Sequence, residues 1–147
     1  MIFDIEWLNL KKEIDGIIIK DIETKLNIKF PKSYVEFIKI YHGSSPIPNI
    51  VKFDRETETL KTFLSMEPGD ENFIVDVYME NRGLMPEDII PIGLTDCIDL
   101  ICLDYRKGRF SEPSVVYWNY EFALENYHES VYPICKTFEA LINLLSD

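Results

Sequence analysis

Residues 91–108 read PIGLTDCIDLICLDYRKG, and the fold turns on whether this stretch is a ligand set or a strand with polar ends. Two cysteines, Cys97 and Cys102, lie among three aspartates, Asp96, Asp99 and Asp104, within nine residues. In an extended strand, side chains on one face are an even number of residues apart. Cys97 and Cys102 differ by five, as do Asp99 and Asp104, so an unbroken strand sends each pair to opposite faces. The run Ile98, Leu100, Ile101, Cys102 and Leu103 is apolar on both faces, the pattern of a central strand covered on both sides. Cys102 then reads as a core thiol rather than a reactive one. Asp104 and Tyr105 fall at the strand end, where they are expected to shape the surface beside RKGRFSEP.

Working outward, strands are also predicted over 89–92 and 115–118, and a hairpin over 50–53 and 60–66 with the charged connection DRETET. PGDEN at 68–72 is a turn, and FIVDVYMENRG does not alternate cleanly and predicts a helix ending at Gly83. Upstream, a short helical segment is predicted over 5–14. KDIETKLNI follows, with Ile18, Ile22 and Leu26 on one face and Asp21 and Glu23 in its first turn. Pro31 opens a second helix in which Tyr34, Phe37, Ile38 and Tyr41 share a face and Gly43 closes the end. A last helix over 135–145 aligns Phe138, Leu141, Ile142 and Leu145. The sum is an α+β fold: one domain over 1–147, with a mainly antiparallel sheet of about five strands, an N-terminal helical pair and a C-terminal helix.

With 147 residues, 46% hydrophobic, the chain can bury one real core. No apolar run approaches the roughly 18 to 20 residues of a membrane span. MIFDIEWLNLKKEID has acids where a signal peptide has bases, so a cytoplasmic protein without membrane association is expected. Three cysteines without CxxC spacing suit a reducing compartment in which thiols serve as small buried apolar groups.

The net charge is −11, unevenly placed: residues 1–53 carry +1, residues 54–88 carry −7 and residues 89–147 carry −5. Such a balance repels phosphate backbones and makes nucleic acid an unsuitable partner, whereas a basic protein is attracted and steered. Ligand and nucleophile patterns are sparse. GxSxG, a Walker loop, GxGxxG, CxxC and HExxH are all missing from the sequence. Of the two histidines, His42 is read as a charged residue favouring the C-terminal end of the second helix. His128, beside Glu125 and Glu129, makes at most a weak His/carboxylate set. PEDI and PGDE offer adjacent acids of the kind glycosidases use, but turn acids of this sort are ordinarily solvated. No catalytic residue, metal site or cofactor is expected.

Ordered landmarks carry a resemblance. IETKLNIKFPKSYVEFIKIYHG (22–43), IIPIG (89–93), LICLDY (100–105), PSVVYWN (113–119) and TFEALINLL (137–145) follow one another as in the SUKH superfamily, the Knr-like or yeast cell-wall-regulator-like family, which the chain resembles over 20–145. The turn before ICLD departs from the family pattern in lacking glycine. The resemblance implies an α+β fold without catalytic residues. For bacterial members it implies service as immunity proteins that bind and neutralise a cognate polymorphic toxin, often a nuclease. Other members resemble regulatory or scaffold modules, and that alternative stands beside immunity.

Charge and resemblance together place the contact on the acidic segment. Asp54, Glu56, Glu58, Glu67, Asp70 and Glu71 are the electrostatic candidates, and Tyr78 and Tyr120 the aromatic anchors. Trp118 is read as core. The expected partner is a basic toxin, bound by a monomer or weak homodimer. A small hydrolase or metal enzyme built on His128 is the remaining competitor.

Overall fold

The computed structural model describes residues 4–147. The elements are β1 (Glu6–Leu8), α1 (Gly16–Leu26), α2 (Lys32–Tyr41), β2 (Ser45–Ile47), β3 (Ile50–Phe53), β4 (Glu56–Phe63) and α3 (Ile74–Asn81). They continue with β5 (Ile89–Thr95), β6 (Leu100–Asp104), β7 (Ser114–Trp118), α4 (Tyr120–Asn126), β8 (Val131–Cys135) and α5 (Phe138–Leu144). Strands β3 to β8 pair in chain order into one antiparallel six-stranded sheet, and β1 with β2 forms a separate ribbon. The architecture is the expected α+β fold, with one strand more than the expected sheet.

Strand β6 lies inside the sheet between β5 and β7, and Leu100, Ile101, Cys102 and Leu103 are all buried. Four successive buried residues mean that both faces are covered, as the two-sided apolar pattern requires. On one flank α3 packs against β5, and the Trp118 indole N–H bonds the Leu84 carbonyl at 3.3 Å. Elsewhere α5 packs against β3, β7 and β8. Its Phe138 ring lies 5.0 Å from both Tyr34 and Phe37 of α2, and Phe37 lies 4.8 Å from Phe63 of β4. Burying each such ring stabilises the fold by about 1.5–3 kcal/mol.

The sheet curls. Its first and last strands, β3 and β8, come into contact, and the Phe53 ring of β3 lies 5.0 Å from Tyr117 of β7, four strands away along the ladder. Bulges in the β4/β5, β5/β6 and β7/β8 pairings supply the bend. Gly93 sits in this bent region because a Cβ there would stand 2.6 Å from the buried Leu60 Cδ1.

Several local expectations give way. The helix predicted over 5–14 is instead a strand followed by irregular chain: β1 pairs with β2, and Trp7 stacks on Tyr41 at 4.7 Å. Helix α1 starts four residues before Lys20, because the Asp15 carboxylate accepts the Ile17 N–H at 2.9 Å and caps it. Asp21 and Glu23 are therefore inside the helix, where Asp21 pairs with Lys25 and Glu23 accepts the Phe30 N–H. Its buried face is Ile19, Ile22 and Leu26, with Ile18 half-buried. Pro31 is the cap of α2 rather than its first residue, while Gly43 takes the expected left-handed conformation at φ 70°.

The hairpin connection is not DRETET: only Asp54 and Arg55 turn, Asp54 with φ 53°, and Glu56 already belongs to β4. Strand β8 replaces the beginning of the last helix, which starts only at Phe138 under a Thr137 cap. An edge position tolerates its Pro133, which has no N–H to pair. Ile98 is 60% exposed and precedes the strand. Tyr105 is not a surface residue but core, its hydroxyl bonding the Lys29 carbonyl at 2.8 Å. Of the three thiols only Cys102 is buried; Cys97 is exposed and Cys135 half-buried. Among the described residues no helix is long and apolar enough to cross a membrane.

Candidate functional site

The β3–β4 hairpin places acids by simple parity. Phe53 pairs with Glu56 and Val51 with Glu58, so these four side chains share a face. Along β4 that face passes from exposed Glu56 through half-buried Glu58 to fully buried Leu60. The strand thus leads from the core to a charged mouth. The curl of the sheet brings β7 and β8 opposite, and Phe53, Asp54, Glu56, Glu58, Tyr117, Asn119, Tyr132 and Pro133 enclose a groove of about 270 Å³. Tyr117 and Tyr132 are direct cross-strand partners and form one wall.

The turn between β5 and β6 supplies the other acids. Thr95 Oγ1 accepts the Cys97 N–H and donates to the Asp99 carbonyl at 2.8 Å, which fixes the LTDCID turn without glycine. One Asp99 carboxylate oxygen accepts the Tyr117 hydroxyl, and the other accepts the Tyr120 N–H at 2.8 Å. Burial, and next that bond to Asp99, push the Tyr117 hydroxyl far above its ordinary value, so it stays a protonated donor. Glu58 is pushed up by burial first and by the neighbouring charges of Asp99, Glu56 and Asp96, against a smaller opposing effect of the Tyr117 hydroxyl that faces it. None of the four ion pairs among the described residues involves Asp54, Glu56, Glu58, Asp96 or Asp99. The mouth thus gathers carboxylates that no ion pair offsets among the described residues.

The sequence candidates separate into different places. Asp54, Glu56 and Glu58 line the groove, and Tyr120 adjoins it through its N–H while its ring packs edge-on against Trp118 at 5.8 Å. Trp118 itself is core, as read. Tyr78 is half-buried on α3 and lines a different hollow with Arg82, Asp88 and Arg109. Glu67 and Asp70 border a third hollow with Lys11, Lys12 and His42, and Glu71 is exposed on the same 68–72 turn.

That third region gathers a serine, a histidine and an aspartate, and their bonding is structural. Ser65 is fully buried and donates its hydroxyl to Asp70 at 2.6 Å. His42 is buried too, which corrects the reading of it as a charged group at a helix end. Its Nδ1 accepts the Met66 N–H at 3.0 Å, so the ring proton resides on Nε2, which donates to the Lys12 carbonyl at 2.8 Å. The serine proton points to the aspartate, and the imidazole nitrogen 3.5 Å away already accepts the Met66 N–H, so the imidazole does not serve this serine as a base. The set ties Lys11 and Lys12 to the 65–70 turn. Lys11 Nζ completes it, 3.6 Å from Asp70, whose carboxyl is held below its ordinary value chiefly by the Ser65 hydroxyl. His128, the other histidine, is exposed with its ring 4.0 Å from Tyr127.

Asp96, Asp99, Tyr117, Asn119 and Tyr132 were not among the sequence candidates for binding. Asp99 was visible as a polar strand end, but its partner Tyr117 lies 18 residues away, and only the β6/β7 register brings the two together.

A model of the SMI1 / KNR4 family (SUKH-1) matches residues 14–144. No curated protein matches the chain.

Proposed function

Because the chain belongs to the SMI1 / KNR4 family (SUKH-1), we propose that it is a non-enzymatic immunity protein that binds and neutralises a cognate toxin, a basic nuclease-type domain, through the acidic mouth of its curled sheet. The observation that carries this reading is the set of five carboxylates at the mouth, none of them in an ion pair among the described residues. Crowded like charges raise the free energy of the unbound protein, and a basic partner relieves that repulsion on binding. A nuclease cleft must attract phosphates, so an acidic inhibitor competes for the same basic surface. The buried, already bonded Ser65 and His42 favour binding over catalysis. A cytosolic site of action suits the three free thiols.

The test is co-expression with the toxin domain encoded beside the gene. Cells making the protein survive, the two proteins purify as a stoichiometric complex, and association slows steeply as salt rises. Survival no better than that of cells lacking the protein would overturn the reading. A non-toxin partner recovered where no toxin gene exists would point instead to a regulatory or scaffold role.

A further inference from the structure

The groove at the mouth has apolar walls as well as charge. Phe53 and Tyr117 are almost fully buried, their rings 5.0 Å apart, and Tyr132 stands beside Tyr117 with 36% of its surface exposed, so the wall opens to solvent at one end. Pro133 extends it. At about 270 Å³ the groove lies just below the range of small-molecule pockets, about 300–1,000 Å³, and suits one long side chain rather than a helix or a strand. Its acids decide the sign of that side chain. Both Asp99 oxygens already accept hydrogen bonds, from Tyr117 and Tyr120, so Asp99 is held in place and contributes mainly charge. Glu58 is in no ion pair among the described residues, and the Tyr117 hydroxyl that faces it already donates to Asp99, so Glu58 is the carboxylate left to receive a donor.

Aromatic walls distinguish between the two cations a protein partner can offer. Guanidinium is planar, weakly hydrated, stacks on ring faces and meets a carboxylate with two parallel N–H groups, whereas ammonium is compact and strongly hydrated. We propose that the groove receives a single arginine side chain of the partner, its apolar stem along Pro133, its guanidinium stacked on Tyr132, the exposed ring of the wall, and paired with Glu58. The proposal rests on the immunity reading only for the identity of the partner.

The test titrates the full chain with N-acetyl-arginine amide and follows the aromatic NMR signals of Phe53, Tyr117 and Tyr132. The citrulline amide, of the same shape without the charge, and the lysine amide are run beside it. Arginine should shift these three residues, and lysine should bind about threefold more weakly for want of stacking. Citrulline and the isosteric Glu58→Gln variant should each weaken binding about tenfold or more. Tyr132→Ala, at an exposed position, should cost about threefold. Equal titration by citrulline or lysine, no response at the groove, shifts centred on residues 65–71, or an unchanged Glu58→Gln variant would each overturn the proposal. The co-expression assay separates the two ideas. Protection without an arginine response in the groove leaves immunity standing and removes the groove, while an arginine response without protection does the reverse.

Discussion

Glu58 and Asp70 lie twelve residues apart in the most acidic third of the chain, and the fold treats them in opposite ways. Asp70 accepts the Ser65 hydroxyl at 2.6 Å and faces Lys11 at 3.6 Å, and its carboxyl is held below the ordinary value. Glu58 has no ion-pair partner among the described residues, faces a Tyr117 hydroxyl already committed to Asp99, and is pushed above the ordinary value by burial first and then by the charge of Asp99. One negative charge stabilises the native state, and the other opposes it. Acidity in a sequence therefore does not by itself identify a binding surface, because the fold can use such a charge internally, as it does at Asp70. The turn at 67–71 uses the Asp70 charge to hold Lys11, and the hairpin at 54–58 keeps charge that no ion pair offsets among the described residues.

The strongest way to break this contrast is to remove the histidine beneath the turn. His42→Ala strands the buried Met66 N–H and the Lys12 carbonyl and leaves a void, and should cost about 2–4 kcal/mol in urea unfolding. The groove should survive wherever the protein remains folded, because none of the hydrogen-bond partners of His42, Lys12, Ser65 and Met66, lines it. Loss of arginine binding by folded His42→Ala protein would show that the two regions are coupled.

Asp70→Asn is the milder version. It keeps an acceptor for Ser65 and removes the charge near Lys11, and partial exposure limits the cost to about 1 kcal/mol or less at neutral pH. The sign follows from the lowered carboxyl. A group that ionises more readily when folded contributes stability above its unfolded value, about 3.9 for aspartate, and that contribution is lost as pH falls through the lower folded value. Wild type and Asp70→Asn should therefore differ at pH 7 and converge in strong acid. A difference that persists there would mean the loss is one of packing, not of charge.

How far these roles were legible in the sequence differs between the two regions. The α+β plan could be read because it rests on local periodicity: the two-sided apolar run 100–103 and the helical faces of α2 and α5 each announce themselves within a dozen residues. The acids of the hairpin could be named, but not joined to Asp99, Tyr117 and Tyr132. Those contacts depend on bulges and on a curl that brings β3 to β8, and no local pattern encodes a sheet's curvature. β1 and α4 escaped for the opposite reason. Each is short: β1 is held in place by a tertiary partner, Trp7 stacking on Tyr41, and α4 is barely two turns under a local cap in which the Asn119 side chain accepts the Phe122 N–H. Ser65, a small residue in an apolar strand end, gave no hint that it fixes Asp70.

The smallest expected effect is the most informative, because its sign is the reverse of the Asp70 result. Glu58→Gln keeps the shape of the side chain and removes a charge that the mouth repels, so the isolated protein should become more stable, not less. Exposure and solvent screening hold the gain to about 0.5 kcal/mol or less. A carboxyl raised in the folded state binds its proton over a window above the unfolded value, about 4.3 for glutamate, and its contribution to stability falls as pH rises through the raised folded value. The advantage of Glu58→Gln should accordingly be full at neutral pH, shrink as wild type is acidified through that window, and shrink also as salt screens the mouth. Stabilisation of the free protein together with weakened binding of arginine is the pairing expected of a residue kept for a partner. A Glu58→Gln protein that loses stability at pH 7 would instead place Glu58 with Asp70, as a charge the fold itself uses.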